Sequence, residues 1–177
     1  PVIFFESQRL YDLGEHFHEG GVPEGYYEIP MGEPDVKRVG KDVTILTIGA
    51  TLYRAIEAAD KLQEKYGISA EVIDARSLVP FNYEPVLASL KKTGRIVISG
   101  DASSRGSFMK EMAQTISELA FDDLDAPPVV VGSRNWITPA YELEDSFFPC
   151  ADWIIDAIHK KILLLKGPVV KNNFTSA

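Results

Sequence analysis

The chain has 177 residues, a formal net charge of -8 and an apolar share of 45%, enough for one packed domain with a modest extension. The acidic balance argues against nucleic-acid or anionic-membrane partners, and no apolar run reaches the roughly 18 residues that cross a bilayer. Cys150 is the sole cysteine, which excludes an internal disulfide and fits a reducing, cytoplasmic setting.

Residues 1–8 open on Pro1-Val2-Ile3-Phe4-Phe5, expected to be the last strand of a truncated neighbouring domain. No charged leader or small-residue cleavage site accompanies this run, so it does not read as a secretory signal. Residues 9–40 carry Gly14, Gly20, Gly21, Pro23, Gly25, Pro30, Gly32, Pro34 and Gly40. That punctuation predicts an extended linker without a long helix. Tyr11, Phe17, Tyr26, Tyr27 and Ile29 are apolar enough to be pressed against this domain or a neighbour. The main domain is expected over residues 41–166, and residues 167–177 read as an aperiodic tail, disordered or foreign to the domain.

Within the main domain, strands and helices alternate. Val43–Ile48 is β-branched and apolar, the mark of a buried strand. Leu52, Ala55, Ile56, Ala59, Leu62 and Tyr66 then recur at helical spacing until Gly67. Ala70–Asp74 predicts the second strand, and a turn through Pro80 leads to a helix from about Tyr83 to Lys92. Arg95–Ser99 is the third strand, followed by the loop Gly100–Gly106 and a helix burying Phe108, Met112, Ile116 and Leu119. Val129–Val131 is the fourth strand, and Trp153, Ile154, Ala157, Ile158 and Ile162 line the last helix. This order predicts an α/β fold of three layers, α/β/α, around a mostly parallel sheet.

Partners of such sheets meet the loops at the carboxyl ends of the strands: Gly49-Ala50-Thr51, Asp74 to Ser77, and Gly100 to Gly106. The last loop precedes a helix and offers N–H groups suited to an anion, with Arg105 adding charge. It matches neither the dinucleotide nor the P-loop fingerprint, and a tight turn capped by Asp101 or Ser103 accounts for it equally. Asp74 and Arg76 could organise an interface or brace their own loop. His16, His18 and Glu19 lack a companion cluster with zinc-like spacing. Cys150 has no identifiable base partner and reads as a structural thiol. Trp136, Phe147, Phe148 and Trp153 read as core, although Phe147-Phe148-Pro149 beside Glu142 to Asp145 could line a contact. No self-contained active site emerges, and no catalytic, cofactor-binding or metal residue is assigned.

Several segments, in order, resemble the C-terminal third of the β-type chain of thiamine-diphosphate-dependent 2-oxo acid dehydrogenases. Pro1 to Glu6 resembles the last strand of that family's pyrimidine-binding domain. Val22-Pro23-Glu24 to Ile29-Pro30-Met31-Gly32 resembles its linker, and Val39 to Thr44 the approach to its next domain. Ala70-Glu71-Val72-Ile73-Asp74-Ala75-Arg76-Ser77-Leu78-Val79-Pro80 is similar to the family's AEVIDLRTL.P, and Lys92-Thr93-Gly94-Arg95 to its KTGR. The family's HEA and Gly-Gly-Phe-Gly elements are replaced by Gly100-Asp101-Ala102 and Gly106-Ser107-Phe108-Met109, so no role is carried over from them.

The resemblance implies a transketolase C-terminal-like domain of an oxidoreductase acting on pyruvate, a branched-chain 2-oxo acid or acetoin. Thiamine diphosphate and magnesium belong to the parent enzyme. Both the GDG…NN motif and the activating glutamate are missing, so no cofactor is expected on this chain alone. The implied roles are packing between β-type subunits, support of the pyrimidine-binding domain and docking of the lipoyl acyltransferase component. Interface candidates are Asp74, Arg76, Asp101 and Arg105, with Asp152 and Asp156 expected on the polar side of the last helix as acidic docking contacts. The equivalent domain of a transketolase or deoxyxylulose-phosphate synthase shares this architecture, and an autonomous flavodoxin-like binding module remains the reading from another class.

Overall fold

The computed structural model describes residues 1–3, 6–7, 10–11 and 23–168. The expected strand through Phe4 and Phe5, Phe17, the His16, His18 and Glu19 group, and the tail from Val169 lie outside the described residues.

Among the described residues, five strands form one sheet in the order β1-β3-β2-β4-β5. They are β1 (Asp35–Arg38), β2 (Val43–Ile48), β3 (Ala70–Asp74), β4 (Ile96–Ser103) and β5 (Val129–Ser133). Strands β3, β2, β4 and β5 are parallel, while β1 runs antiparallel to β3 with Asp35 opposite Asp74. Four helices of the described residues cover the faces: α1 (Thr51–Tyr66), α2 (Glu84–Thr93), α3 (Phe108–Leu119) and α4 (Ala151–Lys161).

Alternation along each strand divides the core in two. Val43, Ile45, Val72, Val97 and Val131 pack with Ala55, Leu62, Ile154 and Ile158 under α1 and α4. Leu46, Ile73, Ile96 and Ile98 point the other way, onto Val86, Leu90, Met112 and Ile116 of α2 and α3. The three-layer α/β/α architecture follows directly from that two-sided burial.

Three expectations need correction. First, the linker ends before residue 40, because Asp35–Arg38 joins the sheet as an edge strand. Its charged sequence hides it, and short, charged strands are how proteins guard sheet edges. Glu33 also reaches the domain, accepting the Asn82 side-chain amide at 3.1 Å, while Asn82 N–H donates to the Gly32 carbonyl at 2.8 Å. Upstream, Tyr26, Tyr27 and Ile29 are exposed rather than packed on this domain. Second, β4 continues through Ser103, so half of the Gly100–Gly106 loop is strand. Third, the buried stripe of α3 is Met109, Met112, Ala113 and Ile116, which turns Leu119 out to solvent.

Gly40 marks where the chain swings from β1 into β2. A Cβ there would lie 2.2 Å from the Ala70 carbonyl carbon and the Glu71 nitrogen, so only glycine fits. The same corner is laced by Lys41 and Asp42 N–H groups donating to the Ser69 carbonyl at 3.1 and 2.9 Å. Asp42 returns the contact by accepting Ser69 N–H at 2.7 Å.

Candidate functional site

In a parallel sheet the first place to seek a ligand is the point where strand order reverses, here between the carboxyl ends of β2 and β4. Thr51, at the first turn of α1, is buried there. Its hydroxyl proton is shared between the carbonyls of Ile48 at 2.8 Å and Ser99 at 3.1 Å. The crevice is therefore closed by the protein's own side chain. Among the described residues, no group of three or more His, Cys, Asp and Glu could hold a metal. A magnesium diphosphate needs several oxygen ligands around the cation and open N–H groups for the phosphates, and the described residues do not fit one.

At the end of β3, Arg76 adopts a left-handed backbone conformation with φ of 55°. Its N–H donates to Asp74 Oδ1 at 3.1 Å, which stabilises that conformation locally. Its guanidinium pairs with Asp35 of β1, and Lys37 joins the same carboxylate at 2.6 Å. Burial pushes the Asp74 carboxyl up from its ordinary value, with the Arg76 N–H opposing. Burial also acts upward on Asp35, but Lys37 and Arg76 prevail and hold its carboxyl below the usual range. Asp74 and Arg76 thus come together as a brace between the edge strand and the β3 loop.

At the end of β4, Asp101 and Arg105 are exposed. Ser103 Oγ accepts Arg105 N–H at 3.2 Å and donates to Asn135 Oδ1 at 3.3 Å. The local turn therefore uses the donor that an anion would need.

Arg134, which gave no signal in isolation, forms the most structured polar feature of this end. It is buried at the end of β5, with its guanidinium carbon 5.0 Å from the Trp136 ring centroid and 4.5 Å from that of Trp153. Nε donates to the Ser146 carbonyl at 2.7 Å. Burial lowers the guanidinium's pKa, with the Cys150 side chain opposing. The signal available in the sequence was an Arg two residues before a Trp directly after a strand. Trp136, expected to be core, is instead a 62% exposed cover over Arg134. Beside it in sequence stand Ile137 at 92% and Tyr141 at 80% exposure. Glu142 and Asp145 are exposed on the short 3-10 helix Tyr141–Ser146.

The last helix departs from expectation. Asp156 is 6% exposed rather than on the polar face, and its Oδ2 pairs with Lys160 at 2.8 Å. Asp152 is ion-paired to Lys61 of α1 at 3.0 Å. Asp152 thus serves the contact between α4 and α1, while Asp156 is paired within α4 itself.

Known proteins are similar to this chain in sequence and fold. The chain is 40% identical over 156 residues to the β subunit of acetoin:2,6-dichlorophenolindophenol oxidoreductase of Bacillus subtilis, covering 88% of this chain and 44% of the relative. It is 42% identical over 127 residues to the β subunit of 2-oxoisovalerate dehydrogenase of the same organism, covering 72% and 37%. The β subunit of the pyruvate dehydrogenase E1 component, again from that organism, is 34% identical over 160 residues, covering 90% and 48%. The chain thus spans less than half the length of each. Among solved structures, a split gene transketolase described as an inactive β4 tetramer superposes with a TM-score of 0.67 at 30% identity, covering 82% of this chain and 48% of that one. No helix is long and apolar enough to cross a membrane among the described residues. The family described as transketolase, C-terminal domain, matches residues 32–154, from the tether at Gly32 into the last helix, and this chain belongs to it.

Proposed function

We propose that this domain is the assembly and docking part of the β-type region of a 2-oxo acid dehydrogenase. The parent enzyme decarboxylates its 2-oxo acid on thiamine diphosphate and passes the acyl group to a lipoyl acyltransferase. The domain packs against β-type subunits and the pyrimidine-binding domain, and it contributes a docking surface for the acyltransferase component. The β-subunit relatives support the enzyme class, and the closed crevice at Thr51 agrees with a supporting rather than a cofactor-holding role.

The observation that carries the reading is the surface at the carboxyl end of β5. Trp136, Ile137, Tyr141 and Leu143 are all exposed within eight residues of sequence, and Glu142 and Asp145 are exposed among them. Apolar side chains gathered this way on a folded domain are covered in an assembly. Acidic residues among them fit a basic docking partner and would chiefly raise its association rate. With Asp156 buried and Asp152 paired, this surface replaces α4 as the docking candidate.

The test uses the full-length parent enzyme. Sedimentation of Trp136→Ala with Ile137→Ser reads assembly, and titration with the acyltransferase's docking domain reads docking by Glu142→Lys with Asp145→Lys. Loss of subunit assembly in the first pair and a weaker, less salt-dependent affinity in the second are expected. Unchanged assembly and unchanged affinity would falsify the proposal.

A further inference from the structure

Arg134 is only 7% exposed, too little to serve as a partner's contact, yet its bonds reach both parts of the exposed surface that follows β5. One set is to Trp136, whose ring the guanidinium faces and which Ile137 follows directly. The other is to the 3-10 helix Tyr141–Ser146: Nε donates to the Ser146 carbonyl at 2.7 Å, and the backbone N–H donates to the Phe147 carbonyl at 3.2 Å. That helix has little to hold it in place. It is six residues long and buries none of them, and 3-10 runs beyond about four residues are uncommon because their hydrogen bonds are poorly aligned. Its position is set from its C-terminal end, by Phe147 at 3% exposure and by the two bonds from Arg134. Trp136 is in the same situation, since residues 137–140 form neither strand nor helix. Trp153 faces the same guanidinium and packs against the core under α1 and α4, which anchors the cation from within.

We infer that Arg134 is the positioning residue of this surface: a single buried guanidinium fixes Trp136 for subunit packing and the Tyr141–Ser146 helix for docking, without itself touching either partner. This role rests on the reading of the surface given above and adds what holds the surface in shape. Side chains that are already ordered before association lose less freedom when a partner arrives, so a residue that orders them strengthens binding from behind. Arginine suits the position for two physical reasons. Its planar group stacks on aromatic rings, and its donors sit in a rigid fork, so one side chain can face an indole and aim a bond at a carbonyl together. A desolvated cation also holds an indole more firmly than an exposed one does. The acids Glu142 and Asp145 ride on the helix that this fork holds, so displacing the fork moves the charges that a basic partner meets.

The test uses the full-length parent enzyme, with sedimentation reading assembly and titration with the acyltransferase's docking domain reading docking. Arg134→Met is compared with Glu71→Gln, a change of similar expected cost to the fold but placed on β3, with β2 and β4 between it and β5. Below the melting transition of both variants, Arg134→Met is expected to weaken docking and assembly by roughly tenfold each, the scale of one lost interface anchor. Glu71→Gln should leave both within about twofold of the native enzyme, a change of less than about 0.5 kcal/mol. On the Arg134→Met background, Glu142→Lys with Asp145→Lys should weaken docking less than it does in the native enzyme, because the acids are already displaced. If Arg134→Met fails to fold, Arg134→Lys keeps the buried cation without the rigid fork and carries the same comparisons with a smaller loss. Unchanged docking and assembly, loss of one alone, losses matched by Glu71→Gln, or full additivity with the acidic pair overturns the inference. If the Trp136 and Glu142 pairs named above are also without effect, the reading of the surface falls as well. If those pairs act and the Arg134 variant does not, only the positioning role falls.

Discussion

Glu71 and Lys92 meet 2.6 Å apart across β3 and α2, with the Glu71 side chain only 4% exposed and that of Lys92 about half exposed. The same carboxylate accepts Gly40 N–H at 3.1 Å, so one buried acid ties α2, β3 and the β1–β2 corner together. Burial acts to raise its pKa, but the Lys92 and Ser89 hydrogen bonds and the Gly40 N–H outweigh it and hold the carboxyl below its ordinary value. A depressed carboxylate contributes stability above its unfolded value, roughly pH 4.3, and that contribution is lost as pH falls through the folded value. Glu71→Gln is expected to lose about 2 kcal/mol at pH 7 by weakening the pair. Between pH 6 and 3 its urea midpoint should fall less steeply than that of the native chain. Parallel declines would remove Glu71 from the acid response.

Asp74 is expected to act with the opposite sign. Its carboxyl is raised by burial, so the ionised form costs stability above the folded pKa, and that cost disappears as the group protonates on acidification. Asp74→Asn keeps an oxygen for Arg76 N–H and removes the buried charge. It should stabilise the chain at pH 7 by a few tenths to about 1 kcal/mol, the scale of a favourable single change. The gain should vanish in acid, and thermal melts at pH 7 and pH 4 measure both.

Gly40→Ala places a methyl carbon against main-chain atoms that cannot move independently. The expected loss is about 3 kcal/mol, the upper end of overpacking costs, read as a shift of the urea midpoint with the slope unchanged. A loss under about 0.5 kcal/mol would mean that the corner relaxes freely.

Asp156→Lys should destabilise the fold itself. It puts an ammonium at a 6% exposed position beside Lys160, and breaking a buried pair costs about 3 to 5 kcal/mol. Asp152→Ala removes a half-exposed pair with Lys61 and should cost no more than about 1 kcal/mol. Melting the two variants side by side distinguishes a buried acid from a surface one.

Arg134→Met should alter the intrinsic fluorescence of the whole chain, because the chain's two tryptophans are Trp136 and Trp153 and both rings face this guanidinium. A loss of about 2 kcal/mol is expected from the desolvated cation–π contacts. An unchanged emission maximum would place the rings elsewhere in solution.

The parallel core was legible because β2 to β5 are β-branched, apolar and separated by helices with clear stops such as Gly67. Strand β1 was not, since Asp35-Val36-Lys37-Arg38 carries three charges and owes its conformation to pairing with β3. Asp156 was misplaced for a related reason. Helical spacing orders side chains around α4, but which stripe is covered depends on where α1 lies, and that is a tertiary fact. Trp136 shows the limit of reading size as burial: a large ring can cover a buried cation and still face solvent. The candidate surfaces were the least legible part, because Arg134, Trp136 and Trp153 come together only through the β5 turn and α4.

The tether of Gly32 and Glu33 to Asn82 also sets the mechanics of the molecule. A pull arriving along the preceding segment meets two contacts to one asparagine before it reaches β1. Peeling of the edge strand is thereby delayed, and the load passes first into the loop that leads to α2. The fulcrum for any swing of that preceding segment consequently sits at Met31–Gly32, ahead of the sheet, so such motion can proceed while β1 stays paired.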